Sequence, residues 1–139
     1  MLMAARPSLR SVAPLTYLIC WGYVITNLLL GAGLYFLYQT PIPIVVANIF
    51  SYQVWGILFF LTGIVSIYSL LKNYWKLTRS LLLVGVVLKA VWAIALIIRC
   101  IQDPRTIVIT VVWLLFLYIQ AITYIYFLPK NVDTKEPVQ

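Results

Sequence analysis

The stretch RSLLLVGVVLKAVWAIALIIR (79–99) sets the solvent this chain is built for. Two arginines bracket nineteen residues that are nearly all apolar, and the tenth residue from either end is Lys89. A helix needs about 20 apolar residues to cross the ~30 Å hydrocarbon core of a bilayer. A lysine at the centre of such a helix costs about 2.5–3.5 kcal/mol on insertion. The apolar remainder of the stretch absorbs that cost, so insertion is expected. Lys89 lies roughly 15 Å along the axis from either end, at 1.5 Å per residue. Its stem is too short for complete snorkelling to the surface. The ammonium is therefore expected to face protein or water rather than lipid.

The rest of the chain has the same character. Charged residues make up 9% of its 139 positions and the mean hydropathy is +1.03, whereas water-soluble domains carry about 25% charged residues. The period-2 alternation of membrane strands is missing. The expected fold is an all-α integral membrane four-helix bundle in a single domain. Its spans are expected at about 14–38, 51–71, 80–98 and 107–128, with a short tail over 129–139. Two arginines precede the first apolar stretch, as in a signal peptide, but that stretch is far longer than the 7–15 residues of a signal h-region. It reads as an uncleaved first helix.

Orientation follows from basic residues. Arg6, Arg10, Lys72, Lys76, Arg79, Lys130 and Lys135 fall on one side, against Arg99 and Arg105 on the other. The positive-inside rule then places both termini in the cytoplasm, with Arg99 as an outer-interface charge. The net charge of +7 reads as topology and as attraction of Lys72, Lys76 and Arg79 to anionic lipid heads. Nucleic-acid binding is not expected, because no soluble domain is there to carry a basic patch. Tyr17, Trp21, Tyr68, Tyr74, Trp75, Tyr124 and Tyr126 cluster toward the inner interface. Tyr35, Tyr38, Tyr52, Trp55 and Trp113 cluster toward the outer one, the depths that amphipathic rings prefer.

Loops are short, which makes sequence neighbours antiparallel neighbours in space. Pro41 and Pro43 break the chain between the first two spans. In QDPR (102–105), Asp103 can cap the fourth helix with Pro104 at its first position. Cys20 and Cys100 fall at opposite depths and cannot pair within one chain. An internal echo relates VWGILFFLTGIVSIYSLLKN (54–73) to VWLLFLYIQAITYIYFLPKN (112–131), with eight of twenty positions identical. It reads either as a parallel duplication of a helical hairpin or as the recurrence of anchoring Trp and Lys in apolar segments.

The candidate intramembrane site is Lys89 with Asn27, Thr62 and Gln120, all polar and near mid-span. Leu82, Gly85, Lys89, Trp92, Leu96 and Arg99 share one helical face, and Trp55, Phe59, Thr62, Ser66 and Ser69 share another. These faces are expected to point inward, with Lys89 held by amide and hydroxyl oxygens. The cluster reads either as a buried knot that sets helix register or as a polar path or binding site, with a contact to another protein's membrane helix as the third option. No span contains Asp or Glu and the chain has no His. Coupled carriers rely on a membrane carboxylate, and small multidrug transporters depend on a glutamate in the first helix, so that family is excluded. Catalytic triads, paired carboxylates, zinc sites and haem sites lose their usual residues. No enzyme activity, cofactor or metal is expected.

The stretch VWGILFFLTGIVSIYSLLKNYWKLTRSLLLVGVVLKAVWAIALIIR (54–99) resembles small four-span membrane proteins of tailed bacteriophages, many of them holin-like. The Trp-Gly start, the short basic loop and the Gly-bearing third span carry the resemblance, over about a third of the chain. It implies a bacterial inner-membrane protein that permeabilises the host membrane before lysis and self-associates or binds a membrane partner. The tail PKNVDTKEPVQ departs from the pattern, being mixed in charge where many holins are strongly basic. A small channel or transporter with a polar path around Lys89, and an accessory subunit or exclusion factor acting through helix contacts, are the alternatives.

Overall fold

A computed structural model describes residues 8–36 and 51–127. Arg6, Tyr38, Pro41, Pro43, Lys130, Lys135 and the tail over 129–139 lie outside the described residues, as do the parts of the expected spans beyond them. Among the described residues five α-helices form: α1 (Leu9–Val12), α2 (Pro14–Phe36), α3 (Tyr52–Leu71), α4 (Trp75–Gln102) and α5 (Ile107–Ile125). A 3-10 turn, Pro104–Thr106, joins the last two, and no strand occurs among the described residues. The four long helices are long and apolar enough to cross a membrane. The chain is a small polytopic α-helical membrane protein, and large apolar side chains such as Leu15, Phe36 and Ile101 face outward from the bundle.

The expected basic loop at 72–79 is much shorter. Helix α3 ends on Lys72, and Asn73 takes a left-handed conformation with φ 54°. Tyr74 N–H then donates to Ser69 O at 2.9 Å and Asn73 N–H to Leu70 O at 3.3 Å. These two bonds satisfy carbonyls that a helix end leaves open, and Asn tolerates the left-handed geometry better than most residues. The chain re-enters a helix at Trp75, so Lys76 and Arg79 project from the first turns of α4. That helix has 28 residues, or about 42 Å at 1.5 Å per residue, longer than the expected 80–98 span. Asp103 caps the 3-10 turn rather than the fourth long helix: its Oδ1 accepts Arg105 N–H at 3.1 Å ahead of Pro104, and α5 starts behind Thr106 with no side-chain cap.

The helices run up, down, up, down. The tightest pairing is α2 with α3, and glycine makes it possible. A Cβ on Gly31 would meet Gly56 O at 2.7 Å, and one on Gly56 would meet Gly31 O at 2.8 Å. Gly63 makes room for Leu28 in the same seam. In lipid, where apolar surface gains little by being buried, such close backbone approach is a principal source of helix association. Hydroxyls inside the spans mostly donate to carbonyls of their own helix, as Thr62 does to Leu58 O at 2.7 Å and Ser66 to Thr62 O at 2.6 Å. This satisfies them without a partner helix.

Two apolar clusters fill the ends of the interior. At the end bearing Arg10, Lys72, Lys76 and Arg79, here the basic end, α1 seats Leu9 with Ala13, Leu70, Trp75 and Phe127. Toward the opposite end, Trp92 stacks edge-on against Trp55 at 6.0 Å and packs against Phe59 at 6.5 Å and Trp113 at 6.2 Å between ring centroids. Trp55 and Trp113, placed at the outer interface by their positions in the sequence, thus belong to the interior cluster, and Trp55 is only 3% exposed. They are also equivalent in the internal echo, and they flank the same residue of α4.

Candidate functional site

Lys89 occupies the middle of α4, and it is 1% exposed. A helical side chain leans toward the N-terminus of its helix, so the stem runs back toward the basic end. Its Nζ donates to Gln120 Oε1 on α5 at 2.7 Å. It also lies over the Tyr23 ring of α2, 4.7 Å from the centroid, within the distance of a cation–π contact. The Tyr23 hydroxyl donates in turn to Phe116 O of α5 at 3.4 Å. One ammonium therefore joins three helices. The backbone carbonyl of Lys89 accepts Trp113 Nε1–H at 2.9 Å, which adds a second link to α5.

Gln120 is equally buried and uses both ends of its amide. Its oxygen accepts from Lys89 and its Nε2 donates to Leu82 O at 3.1 Å. The amide crosses α4 at Gly85, where a Cβ would collide with Gln120 Nε2. Leu82, Gly85 and Lys89 are spaced at three and four residues and form one strip of the helix. Gly85 is the gap in that strip through which the glutamine reaches the lysine.

Asn27 is 3% exposed, and its Oδ1 is buried without a hydrogen-bond partner. It lines a small cavity together with Tyr23, Ser66, Thr78 and Gln120. The cavity has about 10 Å³ of room for a water centre, about the least that holds one water. Thr78 Oγ1–H lies 3.0 Å from Ser69 Oγ of α3, so hydroxyls continue toward the basic end. Lys89 does not line the cavity, but two of its partners, Tyr23 and Gln120, do.

Of the four residues singled out in the sequence, the structure joins Lys89 directly to Gln120 and places Asn27 on the adjoining cavity. Thr62 is buried but turns its hydroxyl onto Leu58 O and is not among the cavity's lining residues. Arg99 lies in the last turn of α4 and is partly exposed, roughly 15 Å along the axis from Lys89. A cation there is favourable toward the helix C-terminal dipole. Tyr23 and Gly85 complete the site. Tyr23 reads in the sequence as an ordinary membrane tyrosine, and nothing in its spacing marks it as the ring beneath an ammonium. Gly85 is visible on the Lys89 face, but the amide that needs its missing Cβ comes from 35 residues downstream.

Among the described residues, no group of three or more His, Cys, Asp or Glu could hold a metal ion. Cys20 and Cys100 are both free thiols. No protein-family model, curated protein or solved structure matches the chain.

Proposed function

We propose that this protein is a small non-catalytic membrane protein that controls a polar path through its own bundle, with Lys89 at the path's centre. The observation that carries the reading is the enclosure of that lysine. The charge sits at mid-span, is held by an amide and a ring rather than a carboxylate, and has the packed Trp55, Phe59 and Trp92 rings on the side away from the basic end. Burying an ion without a counter-ion costs several kcal/mol, and a bundle concerned only with stability gains by placing an apolar residue there. A closed chamber that opens to water makes use of the charge.

The test is solute release from liposomes containing the purified full-length protein. Lys89→Met, Gln120→Leu and Asn27→Leu are each expected to insert, remain helical and alter release. Release that is the same in all three variants as in the parent protein would remove the cluster from any transport role.

A second, holin-like reading draws on α5. Only Thr110, Gln120 and Thr123 of that helix are buried, leaving a broad apolar face for lipid or for neighbouring copies. On this reading timed expression in a bacterial host collapses the membrane potential and lets a co-expressed endolysin reach the wall. Sustained expression with an intact potential counts against it. The path reading stands first because the polar side chains a lesion needs along its wall are inside a single bundle here.

A further inference from the structure

The interior changes character at Lys89. On the basic side of it Gln120, Asn27, Ser66 and Thr78 share the cavity wall with Cys20, Leu70, Leu81 and Leu82. On the other side lie the packed rings of Trp55, Phe59, Trp92 and Trp113. We propose that the cavity below Lys89, which in the closed bundle has room for a single water, widens to admit a small inorganic anion of halide size, and that the Trp92-centred ring cluster is the gate that stops it. This rests on the path reading above and names its permeant and its closure.

Charge decides the class of permeant. The chain's three acids are Asp103, Asp133 and Glu136, so none lies within a span. Any ion traversing the interior passes the Lys89 ammonium with no carboxylate to offset it. Away from bulk water few dipoles screen that charge, so a cation beside it is repelled far more strongly than in solution. Cations are excluded on that ground and anions are drawn in. Basic residues around the entrance, Arg10, Lys72, Lys76 and Arg79, add potential of the same sign.

Donors and hydration agree with the charge. An ammonium has three N–H donors, and Gln120 takes one of them. Trp92 Nε1–H, one helical turn further on, is buried with no acceptor. Buried indole N–H groups usually find a partner, so this one is an open donor in the gate itself. Asn27 Oδ1, buried and without a donor, fits a water in the cavity. The route thus offers room for one water at the cavity, the Lys89 ammonium beyond the cavity wall formed by Tyr23 and Gln120, and one buried N–H within the ring cluster.

The experiment uses liposomes of the full-length protein, loaded with potassium chloride, in two separate assays: chloride release with valinomycin present to carry potassium as the counter-ion, and potassium release with a protonophore present to carry protons inward. Trp92→Ala removes the central ring and is expected to release chloride several-fold faster than potassium. Phe59→Ala, which takes out a flanking ring, carries the same test if Trp92→Ala loses its helical signal. Adding Lys89→Gln to either variant is expected to abolish the preference for chloride, while Lys89→Arg retains it. Release of potassium as fast as chloride from the open variants overturns the anion assignment and leaves the path reading standing. Folded, inserted open variants that release neither ion overturn both.

Discussion

Lys89 and Gln120 bear unequal consequences when changed, although they share one hydrogen bond. Lys89→Met keeps the length and apolar stem of the side chain and takes away the charge. Replacing a buried ion by a well-packed apolar group is often neutral or stabilising, so this variant is expected to unfold at the same temperature as the parent or higher. Gln120→Leu leaves the ammonium in place without its oxygen, and leaves Leu82 O without its donor. A hydrogen bond to a charged group contributes about 1.5–3 kcal/mol, and a loss of that order is expected in thermal unfolding in detergent. The double variant is expected to recover much of it, because the group that needed the oxygen is gone. Equal stability of Gln120→Leu and the parent would show that the bond does not hold the bundle. Lys89, Gln120 and Asn27 are legible as one polar group because each stands out against an apolar run. Tyr23 is not, since its role depends on its ring facing another helix.

Between elements, the decisive contact is the glycine seam of α2 and α3. Gly→Ala in an unconstrained helix gains about 1 kcal/mol. Gly33 is a site of that kind, because an added methyl there would have no neighbour within 4 Å. Gly31 faces Gly56 O and Phe60 instead, and a methyl there would press on the backbone of α3. Gly31→Ala is expected to destabilise by about 1–3 kcal/mol, the range for overpacking, while Gly33→Ala is neutral or stabilising. Thermal unfolding of the two variants side by side checks the pair, and equal behaviour would mean that α2 and α3 do not meet through that seam. The helices themselves are readable from apolar length, and Asp103–Pro104 from capping chemistry. The early start of α4 is not, because Lys76 and Arg79 look like loop residues until a compact turn at Asn73 returns the chain to helix.

For the whole molecule, basic residues argue that the end bearing Lys72, Lys76 and Arg79 faces the cytoplasm. In a background with Cys20 and Cys100 replaced by Ala, a membrane-impermeant thiol reagent is expected to modify Val45→Cys and to spare Lys76→Cys in intact cells. The reverse pattern would invert the orientation. Helix α4, at about 42 Å, exceeds the hydrocarbon thickness and is expected to tilt or to carry its ends into the headgroups. Its first turns hold Trp75 and Lys76 and its last holds Arg99, residue types at home at that depth.

The solvent, the number of long helices and the polar residues at mid-depth all follow from the order of amino acids alone. Each depends on local apolar length or on a single residue's departure from it, and a bilayer makes such departures expensive enough to notice. What Lys89 touches follows from the packing of the helices instead. Its oxygen comes from α5 across the gap at Gly85, its aromatic partner comes from α2, and Trp55 and Trp113 pack against Trp92. Those partners lie far apart in the chain, and their meeting depends on helix rotation and close packing, which the apolar pattern of a membrane helix leaves open because lipid accepts nearly every face.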